Sequence, residues 1–197
     1  MLRIQDTRKR GDLMPKTALV ILAEGFEEVE AIAPIDVLRR AGVRVTIAGV
    51  MNLQVKSSRN IGVQTDALLK DIKDLPDAVI LPGGLPGAMN LAKSEEVAKL
   101  VKKMNSAGKL VAAICAAPAA VLAPLGILDG KKATCFPGCE SDFSSKTVHL
   151  QDRVVKDGNV ITSQGPGSAL EFALEIVREL VGNEMADLVR DKMLIKA

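Results

Sequence analysis

Thr17-Ala18-Leu19-Val20-Ile21-Leu22-Ala23 is a short, uncharged run rich in branched aliphatic residues, the pattern of a strand buried on both faces. Glu27–Ala41 follows with apolar residues at Val29, Ile32, Ala33, Val37 and Leu38, which is helical spacing. Gly42 stands where a helix-ending glycine belongs. Val43–Val50 is a second aliphatic run, so the chain opens with a βαβ unit, two parallel strands covered by a helix.

The same alternation continues outward. Leu53–Thr65 alternates weakly around Asn60 and Gly62 and predicts a small hairpin. Ala78–Leu81 is a buried strand closed by Pro82-Gly83-Gly84. Ser94–Ala107 is an amphipathic helix, with Ser94 as N-cap, Glu95 and Glu96 in its first turn and Gly108 behind it. Leu110–Ile114 reads as a strand and Ala116–Leu125 as a helix. Lys131–Thr134, Arg153–Lys156 and Val160–Ser163 predict short strands, the last two joined at Asp157-Gly158; Ser168–Val181 and Glu184–Arg190 predict helices. The order implies an α/β fold, a doubly wound, mostly parallel sheet with helices on both faces.

Composition narrows the function. The 197 residues suit one domain, expected over residues 16–197, with nearly half the residues apolar and neither Trp nor Tyr. A chain so poor in aromatic rings lacks the platforms on which single strands and RNA stack. A net charge of +2 without a basic stripe argues against phosphate-backbone binding, so no nucleic acid partner is indicated. Leu110–Leu128 carries no charge and is about long enough for a bilayer, but Pro118, Pro124 and Gly126 interrupt it, so no membrane partner is indicated either. Three cysteines make no disulfide framework, and a reducing, cytoplasmic compartment is expected. Residues 1–15 are polar and basic without an apolar core; Asp6 and Asp12 count against a transit peptide. They read as a disordered extension, or as sequence upstream of a natural start at Met14.

Cys115 is the first candidate for chemistry. It follows the strand Leu110–Ile114 and precedes a helix with Pro118 in its first turn, so it falls at the carboxyl edge of the sheet, where open α/β folds bind ligands. A helix N-terminus there favours an anion and is expected to lower the thiol pKa, and the thiolate is the nucleophile. Position alone leaves an inert buried cysteine open. Glu27, Glu28 and Glu30 reach the same edge from the first helix, and spacing does not choose among them. The loop Pro82-Gly83-Gly84-Leu85-Pro86-Gly87 lets backbone N–H groups approach a ligand, or is a tight turn; it is no nucleotide-binding motif. Cys135 and Cys139 hint at a metal, but His149 is the one histidine and structural zinc wants four ligands, so no metal is expected. His149 reads as an exposed residue rather than a catalytic base.

Four motifs taken together resemble the ThiJ/PfpI superfamily. They are Ala18-Leu19-Val20-Ile21-Leu22-Ala23-Glu24-Gly25-Phe26-Glu27-Glu28-Val29-Glu30, Val79-Ile80-Leu81-Pro82-Gly83-Gly84, Ala112-Ala113-Ile114-Cys115-Ala116-Ala117-Pro118 and Thr162-Ser163-Gln164-Gly165-Pro166-Gly167. The branch is that of the parkinsonism-associated protein deglycases, and the resemblance covers nearly everything from Lys16 onward. It implies a flavodoxin-like, class I glutamine amidotransferase-like domain and a homodimer. It implies Cys115 as an oxidisable nucleophile, Glu30 as its protonated partner, and Gly84 and Ala116 as backbone donors. Arg39 or Arg40, and Arg59, fall where the family places arginines near the dimer interface and the site. The implied activity is that of a cofactor-independent glyoxalase and deglycase acting on methylglyoxal, glyoxal and early glycation adducts of amines and thiols. The alternative is a redox-sensing, oxidative-stress-protective protein or chaperone whose cysteine becomes a sulfinate.

The sequence departs from its relatives at two places. Phe136 stands where some relatives carry a histidine, which leaves acid–base work to Glu30. Hydrolase-type members place a histidine directly after the cysteine; here that residue is Ala116, which argues against a protease. The resemblance also brings the Cys135 loop close to the site, which raises the idea of Cys135 as a resolving thiol.

Overall fold

The computed structural model describes residues 14–196; the expectation for the segment before Met14 lies outside the described residues. In chain order the elements are β1 (Thr17–Leu22), α1 (Glu28–Arg40), β2 (Arg44–Gly49), β3 (Gln54–Lys56), β4 (Gly62–Gln64), β5 (Ala67–Leu68) and β6 (Ala78–Leu81). They continue with α2 (Gly87–Ala92), α3 (Glu95–Ser106), β7 (Leu110–Ile114), β8 (Lys132–Ala133), β9 (Val148–His149), β10 (Val154–Asp157), β11 (Val160–Ser163), α4 (Ala169–Val181) and α5 (Asn183–Lys192).

Seven strands form one sheet in the order β10-β11-β7-β6-β1-β2-β5. Every neighbouring pair is parallel except the hairpin β10–β11, turned at Gly158. The side-chain period of two splits each central strand between two cores. Ala18, Val20 and Leu22 of β1, Ala78 and Ile80 of β6, and Leu110, Ala112 and Ile114 of β7 face α1, α4 and α5. Leu19, Ile21, Val79, Leu81, Val111 and Ala113 face α3 and the Ala117–Leu128 segment. With both faces covered these strands have no room for polar residues, which is why they read as unbroken aliphatic runs.

The carboxyl ends of β1, β6 and β7 lie side by side and deliver three loops to one edge. Gly25 and Gly84 both adopt a positive φ, and the loops touch at backbone distance: Glu27 N–H donates to the Gly83 carbonyl at 3.0 Å and Gly87 N–H to the Gly25 carbonyl at 3.1 Å. A Cβ on Gly84 would lie 2.5 Å from the Glu27 nitrogen, so only glycine fits there.

The expected helix Ala116–Leu125 does not form as such. Pro118–Leu122 is a single π-type turn, with Ala123 N–H bonded to the Pro118 carbonyl at 3.0 Å, and turns follow to Gly130. Pro124 lacks the N–H that would continue an α-helical ladder, and Gly126 takes a positive φ. The hairpin β3–β4, the β6 and β7 boundaries and the Ser94 cap, whose Oγ accepts from Val97 N–H at 3.3 Å, agree with the sequence reading. The very short β5 and β9 and the six-residue α2 lie where it assigned no element.

Candidate functional site

Cys115 stands at the first position after β7 with φ 67°, a left-handed conformation that costs a non-glycine residue about 1–2 kcal/mol. Its backbone is tied on both sides. Its N–H donates to the Ser163 carbonyl of β11 at 2.8 Å, and its carbonyl accepts from Phe136 N–H at 2.8 Å. The turn presents the thiol, in a residue only 9% exposed, to the Gly83-Gly84 loop and to α1.

Glu30 comes from the first turn of α1, and of the three acids left open it is the one aimed inward. Glu27 is spent on the helix cap, its carboxylate accepting from Glu30 N–H at 2.8 Å. Glu28 points outward to the Ser58 hydroxyl at 3.4 Å. The Glu30 side chain is fully buried. Its Oε2 accepts from Gly83 N–H at 2.8 Å, its carboxyl engages the Cys115 thiol, and Oε1 has no protein partner. Burial raises its pKa from 4.5 to about 7, against the opposing pull of the Cys115 and Gly83 hydrogen bonds.

The thiol departs from the sequence expectation. Burial pushes Cys115 up to about 12, and the charge and hydrogen bond of Glu30 push the same way. Only the N–H groups of Gly84 and Ala116, both directed at the sulfur, pull it down. The lowered pKa was expected from a following helix, and a single π-type turn supplies no such dipole. A thiolate here therefore requires that Glu30 hold the proton, since two neighbouring negative charges in so dry a place exclude each other.

Some residues that shape the site carry no sequence signal beyond their place in the motifs. Gly83, rather than its neighbour Gly84, holds Glu30, and a Cβ on it would lie 2.7 Å from the Cys115 Cβ and 2.9 Å from Glu30 Oε2. A Cβ on Gly165 would meet the Phe136 ring at 3.4 Å and Glu30 Oε1 at 4.0 Å, so Gly165 lies between the ring and the unpaired oxygen's side of the site. Arg39 and Arg40 sit nine and ten residues beyond Glu30, about 14 Å along the helix. Within the chain they pair with Asp66 and Asp36. Arg59 is exposed and bonded to Ser58, the residue that meets Glu28. A separate cleft of about 700 Å³, lined among others by Ala23, Glu24, Val50 and Asn90, contains neither Cys115 nor Glu30.

A second cluster lies next to Phe136. The buried Cys135 thiol, a Glu140 carboxylate oxygen and a ring nitrogen of His149 all lie within 4.8 Å of one another, which the ligand count made from sequence did not foresee.

Fold and site together define a class: flavodoxin-like α/β proteins that hold a left-handed cysteine at a strand end against a buried carboxyl. The chain belongs to the DJ-1/PfpI family, whose model matches residues 16–179. It is 46% identical over 185 residues to Protein dj-1beta of Drosophila melanogaster, covering 92% of this chain and 98% of that one. The crystal structure of that fly protein superposes with a TM-score of 0.90 at 45% identity, covering 93% of this chain and all of the other. The Toxoplasma gondii DJ-1 structure, of the oxidized protein, gives 0.89 at 36% identity over 92% of this chain and all of that one. Glutathione-independent glyoxalase DJR-1.2 of Caenorhabditis elegans is 40% identical over 172 residues, 86% of this chain and 91% of that protein. Among the described residues no helix is long and apolar enough to cross a membrane.

Proposed function

We propose that this chain is a cofactor-independent glyoxalase that converts methylglyoxal to lactate, with early glycation adducts as further substrates. The observation that carries the reading is Glu30, fully buried, held near pKa 7 and in contact with Cys115. Glu30 takes the proton of the thiol, and the thiolate attacks the aldehyde carbon. The S–C bond forms, the carbonyl electron pair moves to oxygen, and Glu30 returns the proton there to give a hemithioacetal. The Glu30 carboxylate then removes the hydrogen on that carbon; the electron pair left behind forms the C=C bond of an enediolate as the ketone carbonyl pair moves to its oxygen, which takes the proton of the neighbouring hydroxyl. Glu30 returns its proton to the adjacent carbon as the oxygen on the sulfur-bearing carbon re-forms a carbonyl, giving a thioester that water cleaves to lactate and the free thiol. A group with pKa near the working pH suits both directions of transfer. Gly84 and Ala116 N–H groups, which touch the sulfur, steady its negative charge. The 40% identity to a nematode glutathione-independent glyoxalase supports the same reaction.

The test is lactate formed from methylglyoxal without glutathione. Cys115→Ser and Glu30→Gln should each lower the rate by at least about 10²-fold. Full turnover in Cys115→Ser would refute the mechanism.

The oxidized state of the solved Toxoplasma relative favours a second reading, redox sensing. Protonated Glu30 and the two backbone donors suit a Cys115 sulfinate. Peptide mass spectrometry after mild peroxide should then find two added oxygens at Cys115 before Cys135 or Cys139. In either role we take the protein as a cytoplasmic homodimer. The exposed Val29 and Ile32 on the outer side of α1 support the pairing, and sedimentation at two loading concentrations reads it.

A further inference from the structure

We propose that Cys135, Glu140 and His149 form a binding site for a divalent transition metal of the zinc class. Three different elements bring the donors together. Cys135 follows β8, Glu140 opens the short helical turn Glu140–Asp142, and His149 ends β9, which pairs with β8 in register Ala133↔His149. That pairing fixes the histidine near the cysteine across 14 residues of chain, so the cluster is a product of the fold and not of sequence proximity.

The donors match the chemistry. A thiolate, an imidazole and a carboxylate are the borderline-soft set that zinc takes, and three protein ligands leave a fourth position for water. Ligand atoms all within 4.8 Å of one another are close enough to share one ion. The His149 ring is steered by Phe143, whose ring meets it edge-on with centroids 6.0 Å apart. Glu140 is steered by the Gly138 N–H, which donates to its Oε2 at 2.6 Å. Both ligands are thus oriented by a second contact, as in metal sites generally.

Glu140 places a carboxylate beside the Cys135 thiol, and a dication bound between them would displace the thiol proton. The S–metal bond forms as that proton leaves to solvent, with no change of oxidation state.

The cluster adjoins the Cys115 site without sharing a ligand. Phe136, the residue after Cys135, donates its N–H to the Cys115 carbonyl.

The experiment is a cobalt(II) titration of the full chain, reduced with a non-thiol reductant and read by the thiolate-to-cobalt charge-transfer absorption. The expected result is saturation at about one equivalent, in the unaltered chain and equally in Cys115→Ser. Cys135→Ser should abolish the band, and His149→Ala, at an exposed position, should weaken binding at least about tenfold. Zinc should displace the cobalt. No band in the unaltered chain, a band lost in Cys115→Ser, or binding indifferent to His149→Ala would overturn the proposal.

Discussion

Replacing Glu30 by Gln keeps the side-chain shape and leaves an amide oxygen to accept from the Gly83 N–H, but it removes the ionisation of a fully buried carboxyl. In the unfolded chain this carboxyl titrates near 4.5, and in the folded protein near 7. Its protonated form is the one the fold favours, so the stability it contributes is fully present below 4.5. Between 4.5 and about 7 the unfolded state has lost the proton and the folded state still holds it, so stability falls as pH rises and the loss is complete above the folded value. At about 1.4 kcal/mol per pH unit the gap corresponds to about 3 kcal/mol, a large share of the 5–15 kcal/mol typical of a domain. Urea unfolding at steps from pH 4.5 to 8 reads it directly. The unaltered protein should lose about 3 kcal/mol more than Glu30→Gln across that range. Parallel stability–pH curves for the two proteins would refute the placing of this proton.

Gly83→Ala should crowd the Cys115–Glu30 pair directly. The new Cβ would fall 2.7 Å from the Cys115 Cβ and 3.0 Å from the Ala116 nitrogen, neither of which can swing away, so denaturant melts should show about 1–3 kcal/mol lost. Lactate formation should fall with it, since the Glu30 anchor shifts. Cys115→Gly should be as stable as Cys115→Ala or more so, by about 1 kcal/mol, because glycine adopts φ 67° without the steric cost that alanine retains. Lower stability of the glycine variant would mean that the left-handed turn is not strained.

The sheet was legible wherever a strand is covered on both faces. Ala78–Leu81, between Asp77 and Pro82, and Leu110–Ile114, between Lys109 and Cys115, are uncharged, and the structure begins and ends them at the same residues. The two-residue strands β5 and β9 have no periodicity to read; they exist because neighbouring backbone lies ready to pair with them. Ala116–Leu125 misled because alanine and leucine favour helix anywhere, whereas Pro118, Pro124 and Gly126 decide which backbone hydrogen bonds are available. The choice of Glu30 over Glu27 and Glu28 came only through the resemblance. A helix turns by 100° per residue, so three nearby acids point in three directions, and the direction of the core is a tertiary fact.

The grouping of Cys135, Glu140 and His149 escaped for the same reason: Cys135 and His149 are joined by strand pairing, and a count of ligands by spacing is blind to pairing. The thiol was misjudged for a different one. Position at the edge of a sheet implies a helix dipole at the sulfur only if a helix follows, and in the fold a single π-type turn follows Cys115. What remains to favour its anion is two N–H groups and a carboxyl that can take the proton. Glu30 and Cys115 then share one negative charge between them, and ionising both at once is opposed by burial and by repulsion together. Reactivity at this sulfur is thus governed by where that single charge resides. A rate of alkylation that follows the Glu30 proton, and loses that dependence in Glu30→Gln, is the behaviour this geometry requires.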